Sequence, residues 1–287
     1  MSGTSLKLPA PAKINLFLHV TGRRPDGYHT LETLLVPIAR CDWVTLTLRP
    51  DMDVVRRRGN EEIAPQDDLA VRAARLLQRR CDARRGVDIE LDKRIPLGGG
   101  LGGGSSDAAT VLLGLNRLWH LGLDGAALMA IALELGADVP FFIFGAPAFA
   151  RGIGEVLESF SVPPTWFVVL SPRTPVSTAL VFAAPELTRH TPSAKIRAFS
   201  EAYGGNDLQA VAVSRFPEIS TGLAALSPEA RQGIRVAMSG SGGSVFAVFA
   251  DEGSAVETLS RVARERGVQG FVARSLDRHP LQHFAAP

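Results

Sequence analysis

The chain has 287 residues, is 46% hydrophobic and carries a formal net charge of +2. That is enough for a sizeable core, in one large domain or two smaller ones, and it leaves no bulk positive field to drive nucleic-acid binding. Cys41 and Cys81 make no disulfide framework and lack metal-site spacing, no signal-like segment opens the chain, and the longest charge-free run, residues 236–250, is too short for a membrane span.

A reducing, cytoplasmic setting with no membrane partner is therefore expected. In chain order, "INLFLHV" (residues 14–20) and "WVTLTL" (43–48) alternate as strands do, with a Pro25-Asp26-Gly27 turn between them. Residues 67–80 carry Leu69, Ala73, Leu76 and Leu77 at helical spacing, with aspartates first and arginines last, and Gly86 is the expected stop. The arginine-rich stretch 56–85, interspersed with acids, reads as a solvated helix face. A strand at 87–91, helices at 108–119 and 125–136, and a strand or loop punctuated by proline and glycine at 137–155 follow. A soft boundary falls near the Pro163-Pro164 break, dividing the chain into 1–160 and 161–287. The second part reads as a strand at 166–172, helices near 208–215 and 228–233, a strand at 244–250, a helix at 254–266 and a strand at 271–275. Strands and helices in both halves predict a mixed α and β class.

Between the strand at 87–91 and the helix from 108 lies "IPLGGGLGGGSS", with six glycines around Leu101. A tight turn needs one glycine. A glycine-rich turn leading into a helix exposes backbone N–H groups, and the helix N-terminus adds unpaired donors and partial positive charge, so phosphate can bind there at close range. Ser105 and Ser106 can cap the helix or donate to a phosphate oxygen. Three phosphate loops fail to fit. No lysine lies between Arg94 and Trp119 for a P-loop. The spacing Gly98-x-Gly100-x-x-Gly103 lacks a following strand that ends in a ribose-binding acid. A protein-kinase loop would run into a strand rather than a helix.

A fourth type fits. "PLGGGLGGGSSDAA" resembles the phosphate-binding motif of the GHMP kinases, the galactokinase, homoserine kinase, mevalonate kinase and phosphomevalonate kinase superfamily. "PAKINLFLHVTGRRPDGYHTLETLLVPI", "LGADVPFFIFGAPAFARGIGE" and "MSGSGGSVFAVF" resemble its other blocks, in family order from Pro11 to Phe249. The first of these is similar to the branch whose acceptor is CDP-methylerythritol, in the non-mevalonate route to isoprenoid precursors. The resemblance implies an α+β, two-domain fold, with an N-terminal domain like ribosomal protein S5 domain 2, a ferredoxin-like C-terminal domain, and ATP and acceptor in the cleft between them. It implies phosphorylation of the acceptor's 2-hydroxyl, giving the 2-phosphate and ADP. Another small-molecule kinase of the superfamily is the nearest alternative. A non-catalytic nucleotide-binding protein of the same fold and a dinucleotide-dependent oxidoreductase are the others.

Phosphoryl transfer needs a held γ-phosphate, neutralised charge and an oriented hydroxyl. On its residues alone, Lys13 is a strand-end lysine or a cation at the phosphates, one of only four lysines against 27 arginines. Asp138, in an apolar stretch, is a helix cap or a base. The resemblance makes both catalytic. It assigns Pro96, Leu97, Gly98, Gly99, Gly100, Leu101, Gly102, Gly103, Gly104, Ser105 and Ser106 to ATP, and Lys93, just upstream, is either a further contact to the nucleotide or a solvated lysine. Tyr28 and His29 are implied for cytosine, with Phe182 a second stacking face, Asn15 orienting the methylerythritol end, and Thr178, Asp207 and the 240–243 glycines in family-like positions. Mg²⁺ is expected with the ATP phosphates, Ser106 being a possible ligand and the carboxylate ligand unassigned.

Overall fold

The computed structural model describes residues 5–171, 175–193 and 205–285. It opens with a long hairpin, β1 (Ser5–Arg23) and β2 (His29–Arg49), whose turn places Gly27 at φ 91°. Register shifts after Pro11, Asn15 and Val20 bulge β1. Each bulge re-aims side chains that strict alternation would send to the other face. β3 (Val54–Arg58), β4 (Gly86–Asp92), β5 (Ala148–Gly152) and β6 (Val156–Ser159) complete a sheet ordered β3-β4-β2-β5-β6, with β1 paired to β2.

Helices α1 (Leu69–Arg80), α2 (Gly103–Leu118), α3 (Gly125–Leu133) and α4 (Val139–Phe144) pack with this sheet through Leu46, Ile89, Leu77, Leu112, Leu115 and Phe141. α2 is apolar nearly all round because it is buried nearly all round. Gly114 lets it approach the sheet, since a Cβ there would lie 2.6 Å from both Leu46 and Leu8.

The second sheet is β7 (Trp166–Leu170), β8 (Val236–Met238), β9 (Val245–Phe249) and β10 (Gly270–Arg274), ordered β10-β7-β9-β8 and antiparallel throughout. α5 (Thr178–Phe182), α6 (Gln209–Arg215), α7 (Glu218–Ala225), α8 (Ser227–Arg231) and α9 (Glu252–Arg266) accompany it. A core of Ile14, Phe17, Phe149, Phe167 and Phe246 joins the two sheets. After β10 the chain returns to the first half: Leu276 N–H donates to Pro37 O, His279 N–H to Gly145 O, and Leu281 enters the first core.

Several expectations change. α1 stops at Arg80 with Cys81 as its cap, so Gly86 does not end it; Gly86 opens β4 and its N–H donates to Asp51 O. The 137–155 stretch contains α4, a short helix closed by Gly145 at φ 73°. α2 begins at Gly103, so Ser105 and Ser106 lie inside its first turn and cap nothing; the N-cap is Gly102. Arginines 56–85 are not one helix face. Arg56, Arg57 and Arg58 are on β3, and Arg56 is buried against Asp68, the α1 N-cap. Removing one partner of such a pair costs about 3–5 kcal/mol. α5, α7, β3, β6, β8 and a 3-10 turn at Gln282–Phe284 are additional to the elements expected. Among the described residues no helix is long and apolar enough to cross a membrane.

Candidate active site

Lys13 sits on β1 between two bulges, its side chain 3% exposed, and its backbone N–H donates to Leu101 O at 2.9 Å. That bond ties the strand to the glycine loop. The ammonium donates to Asn15 Oδ1 and stands 3.6 Å from Asp138 Oδ2. Asn15 is oriented in turn, because its Nδ2 donates to Thr33 Oγ1 at 2.9 Å while that hydroxyl donates to Phe17 O. Asp138 precedes α4, makes no cap bond, and has a 44% exposed side chain. The aspartate thus holds the N-cap position without capping through its side chain; its carboxylate faces Lys13 and the cleft.

The glycine loop, residues 98–104, is packed on a second glycine-rich loop, residues 239–243, between β8 and β9. Ser244 N–H donates to Gly99 O at 3.0 Å and Ser239 Oγ to Gly100 O at 3.1 Å. Gly100, at φ 71°, can carry no side chain, since a Cβ would lie 2.1 Å from Ser239 O. Asn206 holds the second loop from behind, donating to Met238 O and Gly240 O. Thr178 Oγ1 lies 2.6 Å from Ser241 Oγ, so the start of α5 meets that loop.

Two hollows meet here. One, of ≈ 640 Å³, is lined by Lys13, Asn15, Tyr28, His29 and Phe182. The other, of ≈ 250 Å³, is lined by residues 95–104 and Leu69. Ser105, Asp138 and Thr178 border both. Ser106 is fully buried, its hydroxyl has no hydrogen-bond partner among the described residues, and it borders neither. Lys93 lies beneath α2, paired with Asp42 and with Asp107 at 2.5 Å. Asp42 also accepts from the N–H groups of Arg94 and Ile95, which fixes the entry to the loop. Burial pushes the Asp107 carboxyl well above the usual carboxylate range, even with Lys93 against it. Among the described residues no three His, Cys, Asp or Glu side chains are placed to hold a metal ion.

At the far end of the larger hollow the His29 and Phe182 rings are 5.2 Å apart at 30°. Tyr28 is 60% exposed at the mouth. Burial, then the Arg189 and Arg23 charges, push the His29 pKa below its ordinary value. Asp207 borders neither hollow; it accepts from Val20 N–H and Thr191 Oγ1 and so braces β1. Arg189, Thr33, Asn206 and Ser239 were not expected here. In a chain with 27 arginines nothing marks Arg189 out, and the others act only through contacts distant in sequence.

The arrangement offers a phosphate cradle, an ammonium, a carboxylate and an aromatic-lined recess in one cleft. Two family descriptions match the chain: "GHMP kinases N terminal domain" over residues 68–146 and "GHMP kinases C terminal" over 183–269. A 4-diphosphocytidyl-2-C-methyl-D-erythritol kinase of Thiobacillus denitrificans is 54% identical over 98% of this chain and 99% of its own. One of Nitrosospira multiformis is 50% identical over 99% and 96%. A crystal structure of a 4-(cytidine 5'-diphospho)-2C-methyl-D-erythritol kinase is similar at TM-score 0.78 and 37% identity, over 94% of this chain and 99% of that one. A homoserine kinase from Cytophaga hutchinsonii, with 16% identity and TM-score 0.65 over 97% and 96%, shares the fold.

Proposed function

This chain belongs to the GHMP kinases, within their 4-diphosphocytidyl-2-C-methyl-D-erythritol kinase branch, and from that premise we propose how its cleft works. It moves the γ-phosphoryl group of ATP to the 2-hydroxyl of 4-diphosphocytidyl-2-C-methyl-D-erythritol, in the non-mevalonate route to isoprenoid precursors. The observation that carries this reading is the position of Asp138 beside Lys13, at the border of the glycine-lined hollow and the aromatic-lined one.

The smaller hollow takes the ATP phosphates, on the N–H groups of residues 98–104 and the first turn of α2, with Ser105 donating from its edge. The larger takes the acceptor, its cytosine among Tyr28, His29 and Phe182 and its polyol toward Asn15 and Thr178. Asp138 accepts the proton of the 2-hydroxyl as that oxygen bonds to the γ-phosphorus, while the bond to the bridging oxygen breaks and ADP departs. Lys13 neutralises charge on the phosphoryl oxygens in transfer, as a compact point charge. Mg²⁺ belongs with the ATP phosphates. Asp138, Ser105 and Thr178 carry the side-chain oxygens that border both hollows, and a set with a single carboxylate suits an ion that keeps phosphate oxygens and waters as ligands. It supplies charge neutralisation there. Lys93 is better read as a brace for the loop than as a nucleotide ligand, and Ser106 as a core residue. The two domains divide near residue 160, and the enzyme works in the cytoplasm.

The test is turnover. With ATP and the CDP alcohol, the chain should release ADP and a phosphomonoester at the 2-position, seen by ³¹P NMR. Homoserine and mevalonate should give no product. Equal turnover of either would move the chain to another branch of the family.

A further inference from the structure

All five N–H groups of the Arg189 guanidinium have acceptors. Nη1 donates to Pro185 O and Leu187 O at 3.3 and 3.0 Å, and Nη2 to Phe182 O and Ala184 O at 3.3 and 2.6 Å. These carbonyls come from the end of α5 and the turn beyond it, where a helix leaves carbonyls unpaired and favours a cation. The fifth, Nε–H, crosses to the first half of the molecule and donates to His29 Nε2 at 3.1 Å.

An arginine stays charged and has no acceptor to offer. The nitrogen it donates to must be bare, so neutral His29 carries its one proton on Nδ1. Two N–H groups facing each other across that contact would repel. The imidazolium, with protons on both nitrogens, is disfavoured by burial and by the charges of Arg189 and Arg23. Among the described residues Nδ1 has no partner, and His29 lines the larger hollow. We propose that Arg189 is a positioning residue that fixes His29 as its Nδ1–H tautomer, so that the hollow presents a donor and selects a pyrimidine with a bare ring nitrogen. Cytosine has one at N3; uracil carries a hydrogen there. The same guanidinium anchors Phe182, so one residue sets both the stacking face and the edge contact. The selectivity rests on the cytidine reading of this hollow, whereas the tautomer does not.

The tautomer is read directly by ¹⁵N–¹H correlation spectra of the histidine ring nitrogens in the unliganded full chain above neutral pH. His29 is assigned by the signals lost in His29→Gln. A protonated Nδ1 and bare Nε2 are expected. Arg189→Met should shift the proton toward Nε2, the form free imidazole side chains prefer. Arg189→Lys, which can also only donate, should retain Nδ1–H. In kinetics, the wild-type preference for the CDP alcohol over its UDP counterpart should shrink on the order of tenfold in Arg189→Met, the size of losing one buried hydrogen bond. The change should come through KM for the CDP alcohol, with KM for ATP unmoved and partial retention in Arg189→Lys. A wild-type His29 protonated on Nε2 overturns the proposal whatever the variants do. So does a tautomer that shifts in Arg189→Met while the preference stays. A wild type with Nδ1–H that phosphorylates neither alcohol instead overturns the reaction proposed above, and the selectivity with it.

Discussion

Asn15 decides what Lys13 can do. Because Thr33 spends its proton on Phe17 O, it can only accept from Asn15 Nδ2, which turns the amide oxygen toward the ammonium. A nearly buried ammonium is costly unless it is partnered. Here one partner is a neutral amide and the other a carboxylate that remains 44% exposed and reachable by substrate. Lys13→Met and Asp138→Asn should each lower kcat by at least ~10²-fold with smaller changes in KM, since each acts on the transition state. Steady-state rates with both substrates varied check this, and near-normal kcat in either variant would remove that residue from the chemistry. Tyr28 is a different case. At 60% exposure it contributes little to the core, so Tyr28→Ala should leave the unfolding midpoint in place. Loss of one stacking face, about 1–3 kcal/mol, should raise KM for the CDP alcohol roughly 10- to 100-fold. A rise in KM for ATP instead would assign this corner to the nucleotide.

The element that most rewards close reading is the first turn of α2. Its glycines are not equivalent. At Gly102, at φ 72°, a Cβ would sit 2.9 Å from Phe142 and 3.1 Å from Lys13, so a substitution there disturbs the fold and the catalytic lysine together. At Gly104 the nearest atom to a Cβ is Leu69 Cδ1, at 3.7 Å. Gly104→Ala should therefore stabilise the chain by about 0.5–1 kcal/mol, as alanine does in a helix. It should also raise KM for ATP, because the new methyl stands beside the phosphate cradle. Thermal unfolding and ATP kinetics on one variant separate these effects, and unchanged ATP affinity would place the phosphates elsewhere. The strand, the glycine run and the helix after it are legible in the sequence, because hydrophobic period and glycine content are local properties. The helix start is less so: glycines are poor helix formers, yet Gly103 and Gly104 lie within the helix, where tertiary packing outweighs propensity. α4 was hidden for another reason. "VPFFIF" is buried at five of its six positions, so it has no polar face and no period to betray a helix.

At the scale of the whole molecule, the two halves meet through Phe17, Phe149, Phe167 and Phe246, and the cleft opens beside that contact. Lys13, a rare lysine among arginines, and Asp138, a carboxylate in an apolar stretch, are conspicuous in their settings, whereas their catalytic roles and the Tyr28-His29 pair are legible only through the family resemblance. The brace that unites them is not legible, because Arg189, Asn206 and the C-terminal return act across distances no local pattern encodes. The return itself includes a titration. His279 is buried, its N–H donates to Gly145 O, and its Nδ1 accepts from Leu281 N–H at 3.0 Å. The ring proton is thus on Nε2, which is buried and among the described residues has no partner. Burial lowers the pKa from 6.5 to about 4. Between those values the unfolded chain binds a proton that the folded chain refuses, so acidification favours unfolding. The stabilising contribution is complete above about pH 6.5 and is lost as pH falls toward about 4. His279→Leu should be less stable at neutral pH by a roughly constant amount, having lost the acceptor for Leu281 N–H. Its stability should nevertheless decline less steeply on acidification than that of the wild type. Urea midpoints for both proteins across that range measure the slopes, and parallel curves would mean that this histidine is already protonated in the fold or is reached by water.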